Sequence, residues 1–329
     1  MSVTVNEIAD KCGVSRTTVL RALNNQSRVS DATRKKILDV AKEMGYRPNL
    51  LARSFNTGRT MMIGMVAISM DNMVFVESLS AINREAQHKG YSLNIALNGE
   101  DCQAEQRRIQ EFADRRMEGI LLSAISKGRD YEDFLKSLNT PIVCVGNYVC
   151  DSFSTVMIDE AQAARDAVKL ILSKGYERVI FVCPPLAVQE DRNVYSHIQR
   201  NIGFNAELDL HPGVDRQIIT GDNYIEQLSV RLENLDRRTA ILCSGDIYAL
   251  NIMRHFKNIK LKTPRDVGIM GFDNIGMLDF IVPRLTTVST NIEKVAAVAV
   301  DELIAHITDE NAIAKKIVLP HQILDMETL

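Results

Sequence analysis

From residue 60 onward two kinds of segment alternate, and that alternation limits what the chain can fold into. Short apolar runs stand at Met62–Ile68, Ser92–Leu97, Gly119–Leu122, Ile142–Val145, Val179–Cys183, Ala240–Cys243 and Val267–Met270. Runs this short, without polar alternation, suit strands buried on both faces. Between them, stretches such as 75–88, 103–116, 161–174, 224–234, 246–257 and 292–307 carry apolar residues at helical spacing. Strands that alternate with helices build βαβ units and mainly parallel sheets. Ligands of such sheets bind beyond the carboxyl ends of the strands. The loops after Ile68, Val145, Cys183, Cys243 and Met270 are therefore the places to look. They carry Ser69, Asp71 and Asn72; Asn147; Arg192; Asp246; and Asp273 with Asn274. Carboxylates and amides accept hydrogen bonds from hydroxyls, and an arginine donates to ring or carboxylate oxygens. A small polar metabolite held between two lobes fits that set. Each residue also has an ordinary role open to it: Asp246 as a helix cap, Asp273 as a turn residue.

The first 60 residues are built differently. Thr4-Val5-Asn6-Glu7 is a capping box that starts a helix through Cys12, and Gly13 can end it in the left-handed conformation. Ser15 can cap a second helix to about Asn24. Ser30 can cap a third, where Ile37, Val40, Ala41 and Met44 form one apolar stripe before Gly45. Helix, glycine-centred turn, helix is the helix-turn-helix pattern. In that motif the N-terminal part of the second helix enters the major groove, which here presents Arg16, Thr17 and Arg21. Ser15, Thr18, Asn24, Ser30, Thr33 and Tyr46 are donors suited to phosphate contacts. A solvated three-helix cap is the plainer alternative, but charge favours nucleic acid. Residues 1–59 hold 11 Lys and Arg against 5 Asp and Glu; the remaining residues hold 28 against 37. The overall net charge of −3 hides a basic head on an acidic body.

Between them runs Arg47-Pro48-Asn49-Leu50-Leu51-Ala52-Arg53-Ser54-Phe55-Asn56-Thr57-Gly58. Residues 49–55 are helix-competent, yet far shorter than the roughly 12–15 residues an isolated helix needs in water. Such a segment becomes helical only against a partner, a second copy or DNA; otherwise it is a linker. Leu51 and Phe55 share a face that could wedge into a minor groove.

Several function classes find no support. No basic n-region precedes an apolar stretch, so a cytoplasmic protein is expected. Six cysteines include no C-x-x-C pair, and six histidines include no H-E-x-x-H. Neither a P-loop nor G-x-S-x-G occurs, and Gly268-Ile269-Met270-Gly271 is too sparse for a dinucleotide loop. No catalytic residue, metal or cofactor is expected, and no membrane segment.

The succession V-S-R-T-T-V-L-R-A-L-N-N, G-Y-R-P-N-L-L-A-R-S and I-G-M-V resembles the LacI/GalR family of bacterial transcriptional repressors. Later motifs recur in order: Asp246 in S-G-D-I-Y-A, then G-F-D-N-I (271–275) and L-T-T-V (285–288). The resemblance implies an all-α helix-turn-helix head on an α/β, periplasmic-binding-protein-like body of two parallel-sheet lobes. The implied division is 1–46 for DNA binding, 47–59 for a hinge helix, and 60–329 for effector binding and dimerisation. The lobes would be roughly 60–160 with 290–318 and 161–289 with 319–329. Asn49, Ala52 and Phe55 would join the DNA contacts, Phe55 standing where the family usually has a leucine wedge. Leu20 stands where a serine is common.

The implied effector residues are Ser69, Asn72, Phe75, Asn147, Arg192, Asp246 and Asp273. This pocket departs from the pattern at Gly245 for asparagine, at Met73-Val74-Phe75 for Pro-Phe-Phe, and at Gly146-Asn147 for Asp-Arg. Arg192-Asn193-Val194-Tyr195 only approximates the Arg-x-x-Gly-Phe motif expected near residue 191. The implied function is an effector-controlled homodimer on a palindromic operator, most simply the repressor of a catabolic or transport operon, with a sugar or sugar derivative favoured as effector. Corepressor-dependent or activating control stays open. A sugar-binding protein that does not bind DNA and a sugar kinase with a DNA-binding head fit less well.

Overall fold

The computed structural model describes residues 3–24, 26–46, 58–187, 190–233 and 235–329. The chain divides into two compact units, Met1–Thr60 and Met61–Leu329.

The first unit holds α1 (Val5–Cys12), α2 (Arg16–Leu23) and α3 (Asp31–Glu43). Thr4 and Glu7 form the reciprocal capping box, and Gly13 ends α1 at φ 69°. The next two helices open on the same device. Ser15 accepts from the Thr18 amide and Ser30 from the Thr33 amide, so each serine satisfies one orphan donor. Ile8, Ala9, Cys12, Val19, Ala22, Ile37 and Ala41 form the buried core. Small residues at the crossing let the helices approach closely.

The second unit holds two six-stranded sheets. The first sheet contains β1 (Met62–Ala67), β2 (Ser92–Leu97), β3 (Gly119–Leu122), β4 (Ile142–Val145), β5 (Ser154–Ile158) and β11 (Lys316–Leu319), in the order β11-β5-β4-β3-β1-β2. All its pairings are parallel. The second contains β6 (Arg178–Cys183), β7 (Asp215–Thr220), β8 (Thr239–Cys243), β9 (Val267–Asp273), β10 (Thr286–Ser289) and β12 (Gln322–Leu324), in the order β12-β10-β9-β8-β6-β7. Here only β10 and β12 run antiparallel. Each order reverses direction beside its first strand, so each lobe has the switch point where open α/β sheets bind ligands.

Helices α4 (Met73–His88), α5 (Cys102–Asp114), α6 (Arg129–Ser137) and α11 (Ile292–Thr308) belong with the first sheet. Helices α7 (Glu160–Ser173), α8 (Tyr195–Leu208), α9 (Tyr224–Arg231) and α10 (Asp246–Ile259) belong with the second. The chain passes between lobes three times: from β5 to α7, from β10 to α11, and from β11 to β12. Cys144, Cys183 and Cys243 are buried free thiols on the strands, and Cys12 is one in the head core. Among the described residues no helix is long and apolar enough to cross a membrane.

Candidate functional site

The head presents Ser15 to Thr18, Ser30 and Thr33 on two capped helix starts, with Arg21 in the last turn of α2, Asn24 at its C-cap and Tyr46 beyond α3. Ser15, Arg16, Thr17, Asn24 and Ser30 are exposed, whereas Thr18, Arg21, Thr33 and Tyr46 are half-buried. Each capping serine also bonds the threonine hydroxyl one turn on, at 2.9 Å for Ser15–Thr18 and 2.8 Å for Ser30–Thr33. Tyr46 packs on the head core and returns its amide to the Ala41 carbonyl at 2.8 Å. Asn49, Ala52 and Phe55, and with them the hinge segment 47–57, lie outside the described residues.

In the body, a cavity of about 560 Å³ opens between the lobes. Ser69, Asn72, Phe75, Asn147 and Asp273 all line it, as does Asp71. The first lobe supplies most of the apolar wall, including Met65, Ile68, Leu79 and Val145; the second contributes Ser196, His197, Arg200, Ser244 and Tyr248. Asn72 caps α4 through the Val74 amide. Asn147 does more than face the space. Its Nδ2 donates to the Ala124 carbonyl in its own lobe, while its Oδ1 accepts from the Ser196 amide (3.2 Å) and hydroxyl (2.8 Å) across the cleft.

Two sequence-predicted residues stand apart from this space. Asp246 is fully buried behind the wall, where its carboxylate accepts from the Ile275 amide at 3.0 Å and the Thr287 hydroxyl at 2.6 Å. Burial pushes its carboxyl up to about 6 against those bonds. It fixes the loop that carries Asp273 rather than facing the cavity. Arg192 lies in a neighbouring recess with Glu100, Asp101 and Asp191; its guanidinium pairs with Glu100 across the lobes. Asn274 lines a third recess with Glu77.

The arginine that lines the cavity is Arg200. It is buried, donates to Glu160 at 2.7 Å and to the Ser244 carbonyl at 2.7 Å, stands 3.6 Å from Asp273, and lies 3.6 Å over the Phe272 ring. Sequence reasoning missed it, although its signal was present. Arg200-Asn201-Ile202-Gly203-Phe204 is a full Arg-x-x-Gly-Phe, nine residues beyond where the motif was expected. The spacing has a physical cause. A Cβ on Gly203 would sit 2.0 Å from the Ala161 carbonyl oxygen, so only glycine lets α8 meet α7 there. Phe204 stacks on Phe181 with ring centroids 5.1 Å apart. Together they fix the face from which Arg200 projects.

His197, one turn before Arg200, bonds the Ser244 hydroxyl at 2.8 Å. Burial, with the Arg200 charge beside it, lowers its pKa to about 3. The unfolded chain binds a proton at this residue below about pH 6.5 and the folded chain does not, so stability falls as pH drops from 6.5 toward 3. The fall is at most about 1.4 kcal/mol per pH unit from this group. His197→Asn should flatten that part of a urea-midpoint profile relative to the parent; parallel profiles would show that the imidazole is not held neutral.

Residues 4–49 match the family described as bacterial regulatory proteins, lacI family, and residues 168–325 match the periplasmic binding protein-like domain. The chain thus carries a lacI-type helix-turn-helix domain followed by a periplasmic-binding-protein-like domain. It is 28% identical to catabolite control protein A of Priestia megaterium over 98% of both chains. It is 27% identical to the ribose operon repressor of Lactococcus lactis, covering 99% of this chain and 98% of that one. The fold matches that of a lac repressor dimer bound to operator and the anti-inducer ONPF, with a TM-score of 0.85, 20% identity and coverage of 100% and 99%. The helix-turn-helix head and the two-lobed body of this chain thus share the fold of that structure.

Proposed function

We propose that this chain is a LacI-family repressor whose hold on a palindromic operator is set by a small polar metabolite bound between the lobes. The observation that carries the reading is the presence in one chain of two parts with complementary chemistry. One is a head with Arg16 and Thr17 exposed on a capped helix start; the other is a cavity walled by polar and apolar side chains from both lobes. The names of the relatives, a catabolite control protein, a ribose operon repressor and a lac repressor on its operator, support a carbohydrate-related effector. A homodimer has a candidate face in the second lobe, where Met277, Phe280 (88% exposed) and Val282 (90% exposed) follow β9. Large apolar side chains this exposed suit a protein interface. The hinge 47–59, with Asn49, Ala52 and Phe55, would transmit the effector signal. Couplings of this type amount to about 1–3 kcal/mol.

A gel shift with DNA from the chain's own promoter region tests the reading, and no retarded complex would sink it. The residue roles are separable by the same assay. Arg16→Ala should lose about 1–3 kcal/mol of discrimination at one base pair of each half-site. Tyr46→Phe should weaken all sequences alike, because a phosphate contact carries no base information. Binding measured across single-base operator variants distinguishes the two patterns, and the reverse assignment would contradict both roles.

A further inference from the structure

The cleft has one arginine and no lysine among its described lining residues, and that arginine is already committed. Every face of Arg200 has a partner: Glu160, the Ser244 carbonyl, Asp273 and the Phe272 ring. His197, the other basic residue, is kept neutral and bonded to Ser244. Around Arg200 stand three buried carboxylates, Glu160, Asp246 and Asp273, with Glu77 reaching toward the same loop through the Gly276 amide. Asp246 has its donors behind the wall. Asp273 does not: it is more than nine-tenths buried, lines the cavity, and receives no hydrogen bond from a described residue beyond its 3.6 Å ion pair. Glu160 spends one oxygen on Arg200 and also lines the cavity.

A carboxylate or phosphate entering this space would add negative charge where carboxylates already outnumber the guanidinium, and would find no free cation among the described lining residues. Desolvated charges without partners are among the most expensive features of a binding site. We propose that the effector is cationic, a small metabolite whose protonated amine sits against Asp273 and the free oxygen of Glu160. This rests on the effector reading above and narrows it. The apolar wall from Met65, Ile68, Val74, Phe75 and Leu79 faces the remainder of the molecule. Burial and the neighbouring carboxylates hold the Asp273 carboxyl well above the usual range, and an incoming ammonium, which favours the ionised form, would bring it down. Whatever proton the carboxyl carries would leave with that shift. Binding should release protons, whereas a neutral polyol would exchange none.

The test uses the full chain and matched probes: glucosamine, glucose, gluconate, glucose 6-phosphate and putrescine, each titrated while the thermal midpoint is followed. An amine probe should raise the midpoint at a concentration at least tenfold below that of glucose, with no response to the two anions. Calorimetry in two buffers of different ionisation enthalpy should show proton release with that amine. Asp273→Asn should erase the tenfold preference; proton release read on the parent chain decides the matter should the variant not fold. Equal or stronger response to glucose, or any to the anions, overturns the proposal. A second arm splits the small molecules of the host cell on cation- and anion-exchange resins. A midpoint shift from the cation-exchanger fraction alone supports the amine. A shift from the anionic or unretained fraction overturns it and leaves the cleft reading intact. No shift from any fraction overturns the effector reading itself.

Discussion

Arg200→Ala should destabilise the body by about 3–5 kcal/mol, the range for removing one partner of a buried charge pair. The loss would come from what is left behind. Glu160 and Asp273, both buried, would face each other with no cation between them, and the Ser244 carbonyl would lose its donor. The geometry makes the cost specific. One guanidinium spans a carboxylate at 2.7 Å, a carbonyl at 2.7 Å, a second carboxylate at 3.6 Å and an aromatic face at the same time. An ammonium in its place cannot reach them together, so Arg200→Lys should recover only part of the stability. Adding Glu160→Gln to Arg200→Ala should regain stability, since it removes a stranded charge. An exposed pair sets the scale for comparison. Arg84 and Glu293 also meet, but in solvent, and Arg84→Ala should leave the urea midpoint nearly where it is. Urea denaturation of the four variants measures all of this, and a loss below 1 kcal/mol for Arg200→Ala would remove the arginine from its central place.

Glu105→Ala should be as damaging for a different reason. This carboxylate on α5 is fully buried and accepts four hydrogen bonds: from Asn98 Nδ2 (3.1 Å), the Ile125 amide (2.8 Å), the Ser126 amide (3.0 Å) and the Tyr131 hydroxyl (2.7 Å). Burial raises its pKa, and the four donors pull it back down. Each stranded buried donor costs about 1–3 kcal/mol. The sum will not be additive, but a loss on the order of 4 kcal/mol is a large share of a typical 5–15 kcal/mol stability. Function should fail with it. Ile125 and Ser126 form the ledge on which the second lobe rests: the Asn193 amide donates to the Ile125 carbonyl at 2.7 Å, and Ser126 bridges Arg192. Glu111→Ala, on the exposed face of the same helix, should leave the denaturation midpoint nearly unchanged. Similar midpoints for the two variants would show that the buried carboxylate has no such role.

The strands with continuous apolar runs were legible because nothing in them competes with burial on both faces. Those at Ser154–Ile158, Asp215–Thr220, Thr286–Ser289, Lys316–Leu319 and Gln322–Leu324 were not. Asp215-Arg216-Gln217 opens an edge strand with three polar residues, and Thr286-Thr287 is buried only because Asp246 and Thr328 supply its partners. Pairing energy of that kind comes from residues far away in the chain. The head was legible almost to the atom, since Thr4–Glu7, Ser15–Thr18 and Ser30–Thr33 are local contacts. The cavity was half legible. Loop position alone led to Ser69, Asn72, Asn147 and Asp273, which share the cleft. It could not separate Asp246, turned inward, from Asp273, turned outward, because strand register decides which side chain a loop presents. Arg192 and Arg200 were confused because distance along the chain stood in for the packing of Gly203 on α7.

The helix that carries Arg200 begins at Tyr195, whose amide donates to Asn193 Oδ1 of its own lobe at 3.1 Å. Its second residue, Ser196, is satisfied instead by Asn147 of the opposite lobe. Parting the lobes therefore frays a helix start, and the amide proton of Ser196 can exchange with solvent only when the cleft is open. In deuterated water that single position becomes a clock for the breathing of the body. It would report how often the empty protein opens, and by how much a bound effector slows it, without any label placed in the site.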